Sequence, residues 1–187
     1  RQYDDTTKSY QYPNGYANKP VTYIGLNEAR LYCKSVGKRL PHSYEWQYSA
    51  QGNLSYYSYP WGNSQGMGTK FPQQQHGRNI PGPEDVDKYA SIGKSMFGVA
   101  DLIGNVWQYT DEFTDNHTRS VIVRGSANYR PDGSMWYFPN AFELQQHNKY
   151  FLMDDSYERA GTIGFRCAAD AIQPSDDKPA FWYGSGI

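Results

Sequence analysis

The sequence is poor in the features that usually reveal a membrane protein or a nucleic-acid-binding protein. No stretch approaches the roughly 20 apolar residues that a membrane-spanning helix needs, so we expect no membrane insertion. Eighteen basic and 19 acidic residues give a net charge of -1. Because the basic residues form no cluster longer than Lys38 and Arg39, we expect no binding to nucleic acid. No signal peptide is evident, so any targeting segment would lie upstream of this sequence or never have existed.

Aromatic side chains make up for the low content of aliphatic ones. Aromatic residues make up 17% of the chain, and 18 of them are tyrosines. The mean hydropathy is -0.84. With 18 glycines and 11 prolines, such a composition favours a core of rings and loops over one of aliphatic helices. The tyrosines serve either as a half-buried scaffold, the reading that we favour, or as a binding surface, for which tyrosine is well suited.

The first half of the chain predicts one strand and two helices. Residues 21–24 read as a short strand, and Asn27 can cap a helix that runs to Val36 with Cys33 on its apolar face. Leu31 or Tyr32, Ala29 and Val36 would complete this face. A second helix should begin near His42 or Ser43, where Glu45 is the acid of a capping box, and end at Gly52. Its Trp46 and Ala50 should face the core.

The second half predicts a long loop followed by strands. Residues 52–95 have almost no periodic pattern, and a long loop inside a compact domain usually needs contacts that pin it. Three strands are predicted further on, at 105–109, 121–124 and 162–168. Residues 59–63 are interpreted as a packed turn, and Arg166 as a buried structural cation.

Five short blocks occur in a fixed order along the chain. They are PVTYI at 20–24, GKRLP at 37–41, YPWGN at 59–63, GVADLIGNVW at 98–107, and RGS at 124–126 with GFRCAAD at 164–170. In this order and spacing, over about residues 19–170, they resemble the formylglycine-generating enzyme (sulfatase-modifying factor) family. The resemblance implies an α+β, loop-rich variant of the C-type-lectin fold with little regular secondary structure.

The resemblance also implies a domain organisation. Residues 1–172 would form the sulfatase-modifying-factor-like domain without its N-terminal part, and 173–187 a C-terminal tail. We therefore expect the chain to be part of a larger chain or complex.

The resemblance pairs Cys33 with Cys167, which correspond to a structural disulfide of the family's secreted members. A bridge between them would close a loop of more than a hundred residues and imply an oxidising compartment. Two buried free thiols in a cytosolic protein are the alternative. With the bridge favoured, the protein is expected to be secreted, periplasmic or on the cell surface.

The family's oxidation chemistry depends on two further cysteines that bind copper(I) after the Gly-Ser pair. Here Tyr129 stands at the first position and Gly133 or Ser134 near the second. Neither tyrosine nor serine binds copper(I) tightly, because soft copper(I) prefers thiolates. We therefore expect no copper and no formylglycine formation. The remaining groove should bind an unknown protein, peptide or glycan ligand, and its predicted residues are Trp107, Ser126, Tyr129, Arg130, Ser134 and Trp136.

The resemblance further implies a structural calcium ion. The corresponding ligands would be the side chains of Asp101 and Gln108 and the carbonyl groups of Gly104 and Val106, all hard oxygen donors. Gln108 replaces a glutamate, which should weaken the site. A second site would use ligands from Asn79, Ile80 and either Asp85 or Asp87. Ordinary turn residues are the alternative for both sets.

Two other functions compete with a non-catalytic binding module. One is an oxidoreductase-like enzyme with altered chemistry in the same groove, using Tyr129, Arg130, Asp132 or Ser134. The other is an inactive paralogue that pairs with an active sulfatase-modifying enzyme. The four histidines have no ligand-like spacing, and the sequons at Asn53 and Asn116 matter only in a secretory pathway.

Overall fold

Within the part of the chain that the structure describes, the regular structure consists of two short helices, a hairpin and a small mixed sheet, joined by turns and loops. The computed structural model describes residues 2–54, 56–75, 82–114, 117, 120–129, 148–152 and 160–171, with the backbone alone at 2, 3, 10 and 148–152. The helices are α1 (Leu26–Ser35) and α2 (Ser43–Gln51). Neither is long enough or apolar enough to cross a bilayer. The predicted α+β, loop-rich architecture is confirmed.

The strands form one hairpin and one four-stranded sheet. They are β1 (Gln2–Asp4), β2 (Ser9–Gln11), β3 (Trp107–Phe113), β4 (Ser120–Arg124), β5 (Asn148–Leu152) and β6 (Ile163–Phe165). Strands β1 and β2 pair antiparallel by themselves, whereas the larger sheet has the order β5-β4-β3-β6. Its β5–β4 and β4–β3 pairs are antiparallel, and β6 runs parallel to β3. The sequence patterns did not predict the hairpin or β5.

Helix α1 begins two residues earlier than the Asn27 cap predicts. Its N-cap is Gly25, whose N–H donates to the Glu28 carboxylate at 2.6 Å. Asn27 therefore lies within the first turn, and the predicted cap is wrong. Ala29 and Cys33 are buried as expected, but Leu31, Tyr32 and Val36 are exposed. The helix thus contacts the core along a narrower stripe than the pattern suggested.

Helix α2 follows its predicted pattern closely. His42 is the N-cap, and the Glu45 carboxylate accepts its backbone N–H at 2.8 Å. Trp46 and Ala50 are buried, and the helix ends at Gly52, whose φ is +57°. The capping acid, the inward-facing residues and the terminating glycine are therefore all confirmed.

Two predicted strands have different bounds, and one is absent. Residues 21–24 form no strand, because Tyr23 adopts a left-handed backbone with φ of +57°. Strand β3 begins at Trp107 rather than 105, since Asn105 is also left-handed with φ of +65°. Strand β6 is shorter than the predicted 162–168.

The disulfide between Cys33 and Cys167 is present and ties α1 to the end of β6. The two Cα atoms lie 5.5 Å apart across a sequence separation of 134 residues. Next to it, the backbones of Arg39 and Ala168 exchange two hydrogen bonds of 2.9 and 2.7 Å. The predicted bridge is confirmed, and it leaves no free cysteine in the chain.

The core consists of two clusters on either side of β3. The first packs α1 against the sheet, with residues Leu26, Ala29, Cys33, Leu40, Trp107, Tyr109, Val121, Val123, Ala127 and Ile163. The second packs α2 against loops, with residues Trp46, Ala50, Tyr59, Phe71, Leu102 and Ile103. Tyr59 also stacks on Trp61, which confirms the packed turn at 59–63. Loop residues thus supply much of the second cluster.

Candidate functional site

Two adjoining clefts open beside the segment that precedes α1. The first has a volume of about 950 Å³ and the second about 570 Å³. Both are lined by Lys19, Pro20, Thr22 and Tyr23. The first cleft continues along Val21, Ile24, Glu28, Tyr32, Val86, Phe165, Arg166 and Cys167. The second continues along Tyr16, Gly82, Pro83, Asn128, Tyr129, Gly161 and Thr162.

Tyr23 stands between the two clefts and is held there by an unusual backbone. Its φ of +57° is rare for a bulky residue, and its N–H donates to the Ala160 carbonyl at 3.1 Å. The ring packs on Gly161, where a Cβ atom would lie 2.7 Å from the tyrosine hydroxyl. Even so, 67% of Tyr23 is exposed. Backbone strain of this kind tends to occur at functional sites.

The charged groups at the clefts already have partners within the protein. The Lys19 ammonium lies 2.9 Å from the Asp85 carboxylate, and Glu28 accepts the N–H of Gly25. Tyr32 contacts Phe165 edge to face, with ring centroids 5.5 Å apart. The first cleft therefore offers mainly ring and apolar surface to a ligand.

Three of the predicted groove residues lie within the described part of the chain. Tyr129 lines the second cleft. Trp107 and Ser126 are 6% and 1% exposed and are not among the residues that line the two clefts, so their part in a ligand groove stays a prediction. Trp107 begins the central strand β3 and packs against α1. Arg130, Ser134 and Trp136 lie outside the described residues.

The segment from Asp101 to Gln108 forms a tight loop behind the second cleft. Asp101, Gly104 and Asn105 all have positive φ. The Asn105 side chain accepts the N–H of Glu84 at 2.8 Å and donates to the Glu84 carbonyl at 3.1 Å. The Asn105 carbonyl accepts the N–H of Asn128, which lines the second cleft. This loop therefore supports one wall of that cleft.

Gln108 lies at the base of the loop with both ends of its carboxamide engaged. Its Oε1 accepts the indole N–H of Trp46 at 2.9 Å and the Nε–H of Arg166 at 2.6 Å. Its Nε2 donates to the Asp101 carbonyl at 2.8 Å. Arg166 also donates through Nη2 to the Asp101 carbonyl and to that of Ala100, at 2.9 and 3.0 Å.

Burial shapes the ionisation of the two charged residues in this network. It raises the pKa of the Asp101 carboxyl, although the N–H of Asp87 donates to that carboxyl at 2.7 Å. It lowers the pKa of the Arg166 guanidinium, against the attraction of the Asp101 carboxylate. The hydrogen bonds of Arg166 to Gln108, Ala100 and Asp101 agree with the predicted structural role, although its side chain is partly exposed where it lines the first cleft.

The hydrogen bonds that Gln108 makes do not fit a role as a calcium ligand. Its oxygen already accepts two hydrogen bonds, and its nitrogen, which cannot bind a cation, faces the loop carbonyl. Among the described residues, no three or more His, Cys, Asp or Glu side chains are grouped so that they could hold a metal ion between them. Asn79 and Ile80 lie outside the described residues. Calcium binding by Asp101, Gly104 and Val106 stays a prediction.

The donor set is likewise unsuited to copper(I). The chain has two cysteines, and both sulfur atoms belong to the disulfide. Tyr129, at the position where the resemblance places the first copper ligand, has a phenolic oxygen instead of a thiolate. No step of copper chemistry can be assigned to these residues.

Sequence patterns missed three residues that shape the site. Tyr23 was assigned to a strand, Trp46 to core packing alone, and Asn105 to the start of β3. Asn is tolerated in left-handed backbone, so the Gly104–Asn105 pair was a usable signal for a turn. Nothing local to Tyr23 indicated its positive φ.

Comparison with known proteins agrees with this architecture. Residues 2–171 match the sulfatase-modifying factor enzyme 1-like domain. The formylglycine-generating enzyme of Mus musculus is 32% identical over 178 residues, which cover 86% of this chain and 46% of that protein. The inactive C-alpha-formylglycine-generating enzyme 2 of Bos taurus is 30% identical, covering 83% of this chain and 52% of that protein. The chain thus spans about half the length of these relatives.

Two solved structures share the fold at low sequence identity. CarF superposes with a TM-score of 0.58 at 14% identity, covering 82% of this chain and 68% of that chain. PvdO from Pseudomonas aeruginosa has a TM-score of 0.56 at 15% identity, covering 84% of this chain and 63% of that chain. From the extent of the family match, together with the fold, we conclude that the chain belongs to the sulfatase-modifying factor enzyme 1-like domain family.

Proposed function

We propose that this chain is a non-catalytic binding module of its family and takes a protein, peptide or glycan ligand in the two clefts beside Tyr23. The observation that carries the proposal is the state of the cysteines. Both are joined in one disulfide, and the sequence has no third. Thiolates are the soft ligands that hold copper(I) tightly, and the disulfide leaves no free thiol to supply one, which supports a role without the family's oxidation chemistry.

The character of the clefts supports binding. Rings of Tyr16, Tyr23, Tyr32 and Tyr129 line them. Aromatic rings provide a large contact area at a low cost in side-chain entropy, and they suit the apolar faces of both sugars and extended peptides. Since the bordering Lys19 has an internal partner in Asp85, we expect an uncharged or weakly charged ligand.

The names of the relatives are compatible with the proposal but do not decide it. Among the relatives are formylglycine-generating enzymes and the inactive enzyme 2, at similar identities of 32% and 30%. Membership of the family therefore includes proteins named as enzymes and proteins named as inactive. The absence of a third cysteine supports a proposal that groups this chain with the inactive ones.

A direct test of catalysis is the oxidation of a cysteine-containing sulfatase peptide. The 187-residue chain, loaded with copper and supplied with oxygen and reductant, should leave the peptide mass unchanged. The formylglycine-generating enzyme of Mus musculus serves as the positive control. Conversion of the thiol to an aldehyde, above the level of a copper-only reaction, would refute the non-catalytic role and favour an enzyme with altered chemistry.

A direct test of binding is a screen of the labelled chain on glycan and peptide arrays. For any ligand found, Tyr23→Ala should weaken binding by about tenfold, or ~1.4 kcal/mol, because a stacking ring is lost. Tyr44→Ala is the matched control, since Tyr44 is also 66% exposed but lines neither cleft. Equal affinities of the two variants would place the ligand elsewhere.

A second candidate is an inactive paralogue that pairs with an active sulfatase-modifying enzyme. The similarity to the inactive enzyme 2 favours it, and α2 presents exposed apolar side chains that suit a partner. These side chains are Tyr44 and Tyr48 on the helix, with Met96 and Phe97 beside it. Co-purification of an active enzyme from the native source, lost in Tyr48→Ser but kept in Tyr23→Ala, would support pairing over cleft binding.

We further propose an oxidising location: secreted, periplasmic or at the cell surface. The disulfide supports this, since such bridges persist where the surroundings do not reduce them. Alkylation of the protein in its native source should find both cysteines blocked before reduction. Two free thiols in freshly lysed cells would contradict the proposal.

A further inference from the structure

Two side chains hold the base of the loop behind the second cleft. Arg166 reaches it from the residue after β6 and donates to the carbonyls of Ala100 and Asp101 at 3.0 and 2.9 Å. The same guanidinium donates to Gln108 at 2.6 Å. Gln108 in turn donates to the Asp101 carbonyl at 2.8 Å. A fixed cation and an amide therefore bind the oxygen atoms at the base of the loop.

The orientation of the Gln108 carboxamide follows from its neighbours. The Trp46 indole and the Arg166 guanidinium can only donate, so the oxygen must face them. The Asp101 carbonyl can only accept, so the nitrogen must face it. With a glutamate at this position, an oxygen would lie against the carbonyl oxygen, and a cation between them would relieve the repulsion. Gln108 removes that need.

We infer that Arg166 and Gln108 close this loop in place of a metal ion, so that the loop and the wall of the second cleft that it supports are independent of calcium. The loop supports the cleft through Asn105, whose carbonyl accepts the N–H of Asn128 at 3.2 Å. Asn128 also donates through Nδ2 to the carbonyl of Gly82, another residue of the cleft. The inference concerns stability and stands apart from the function proposed above.

Thermal melting with and without calcium tests the inference. An ion held at about a hundred times its Kd would raise the Tm of a domain of this size by roughly 5–10 °C. We expect the Tm of the chain to agree within about 1 °C between excess EGTA and millimolar calcium. All samples carry Asn79→Ala, so that an ion bound at the other predicted position does not contribute. A calcium-dependent Tm in this background would overturn the inference.

Gln108→Glu tests the role of the amide. The variant should have a lower Tm in EGTA, and adding calcium should raise that Tm by several degrees. The reason is that a carboxylate oxygen replaces the N–H that Gln108 donates to the Asp101 carbonyl. Gln73→Glu is the matched control, an exposed glutamine outside the loop, and should show no calcium response. If Gln108→Glu stays as insensitive to calcium as the parent, the amide is not what makes the loop independent of metal.

Arg166→Lys tests the role of the planar guanidinium group. Lysine keeps the charge but cannot donate to Gln108 and two carbonyls from one planar group, so the Tm should fall by several degrees with or without calcium. Arg30→Lys is the comparison and should cost less, because the Arg30 guanidinium donates to one carboxylate oxygen of Asp111 and not to three separate acceptors. Equal losses in the two variants would refute the special role of Arg166.

Discussion

Glu45 shows how one carboxylate can hold a helix start and a neighbouring segment together. Arg39 donates to both of its oxygens at 2.7 Å, and the backbone N–H of His42 donates at 2.8 Å. The hydrogen bonds from Arg39 are the main reason that the pKa of Glu45 falls to about 2. Arg39 also contacts Asp170 beyond β6.

We predict that Glu45→Gln lowers the free energy of unfolding at neutral pH by about 1 kcal/mol. The value is modest because the side chain is 31% exposed and solvent screens the pair. The folded pKa lies below the unfolded value of 4.5, so the stabilisation is present above pH 4.5 and lost as pH falls towards 2. Urea denaturation of both proteins should therefore show a difference that shrinks over this range.

Asp170→Asn is the control for this measurement. Asp170 contacts the same arginine but its side chain is 76% exposed, so its replacement should cost little at any pH. A difference between wild type and Glu45→Gln that is constant from neutral pH to pH 2 would contradict the assignment.

Gly125 combines a left-handed backbone with a crowded position. Its φ is +96°, and a Cβ there would lie 2.7 Å from the Leu102 carbonyl oxygen and 2.9 Å from Gln108 Nε2. Gly15 has a similar φ of +81° but nothing within 4 Å. We predict that Gly15→Ala costs about 1 kcal/mol for the backbone alone. Gly125→Ala should cost about 1–3 kcal/mol more because of the steric conflict, as measured by chemical denaturation. Equal costs would show that the loop can move aside.

At the scale of elements, the disulfide is the covalent link between α1 and the sheet. It joins residues separated by 134 positions, so its removal frees a long loop in the unfolded chain. We predict that the Cys33→Ala, Cys167→Ala double variant loses about 4–5 kcal/mol of stability by the chain-entropy estimate. Denaturant midpoints of the oxidised wild type and the variant test this.

Reduction of the wild type provides the companion measurement. The reduced protein and the double variant should unfold at similar denaturant concentrations, both well below the oxidised protein. If reductant leaves the midpoint unchanged, the backbone pairing of Arg39 with Ala168 alone is enough to hold this junction.

At the scale of the whole molecule, α2 connects the two core clusters. Its Trp46 donates to Gln108 in β3, and the Arg124 guanidinium of β4 lies 4.9 Å from the Trp46 ring centre. The N–H of Ser43 donates to Glu112, and the N–H of Asp111 donates to the Pro41 carbonyl, both at 2.9 Å. These contacts couple the loop-rich cluster to the sheet.

We predict that the two clusters unfold together in one transition. Far-ultraviolet circular dichroism should follow the same curve as the fluorescence of two variants. The Trp46→Phe, Trp61→Phe double variant removes both tryptophans of the second cluster, and Trp107→Phe removes that of the first. Separate midpoints for the two variants, with a biphasic dichroism curve, would show that the clusters are independent.

The sequence by itself determined the features that depend on neighbours along the chain. The capping box of Glu45, the end of α2 at Gly52, the packed turn at Tyr59 and the strand at Val121 follow from residues within a few positions. The order of the five blocks also identified the family and, through it, the disulfide. Both cysteines of the sequence belong to this bridge.

Only the tertiary structure decided the features that depend on distant partners. Gln108 receives its hydrogen bonds from residues 62 and 58 positions away, Trp46 and Arg166, so its sequence context could suggest a calcium ligand but not an occupied amide. Tyr23 owes its left-handed backbone and its place between two clefts to Ala160 and Gly161. Local propensity cannot encode such positions, because the free energy that maintains them comes from contacts formed only when the chain has folded.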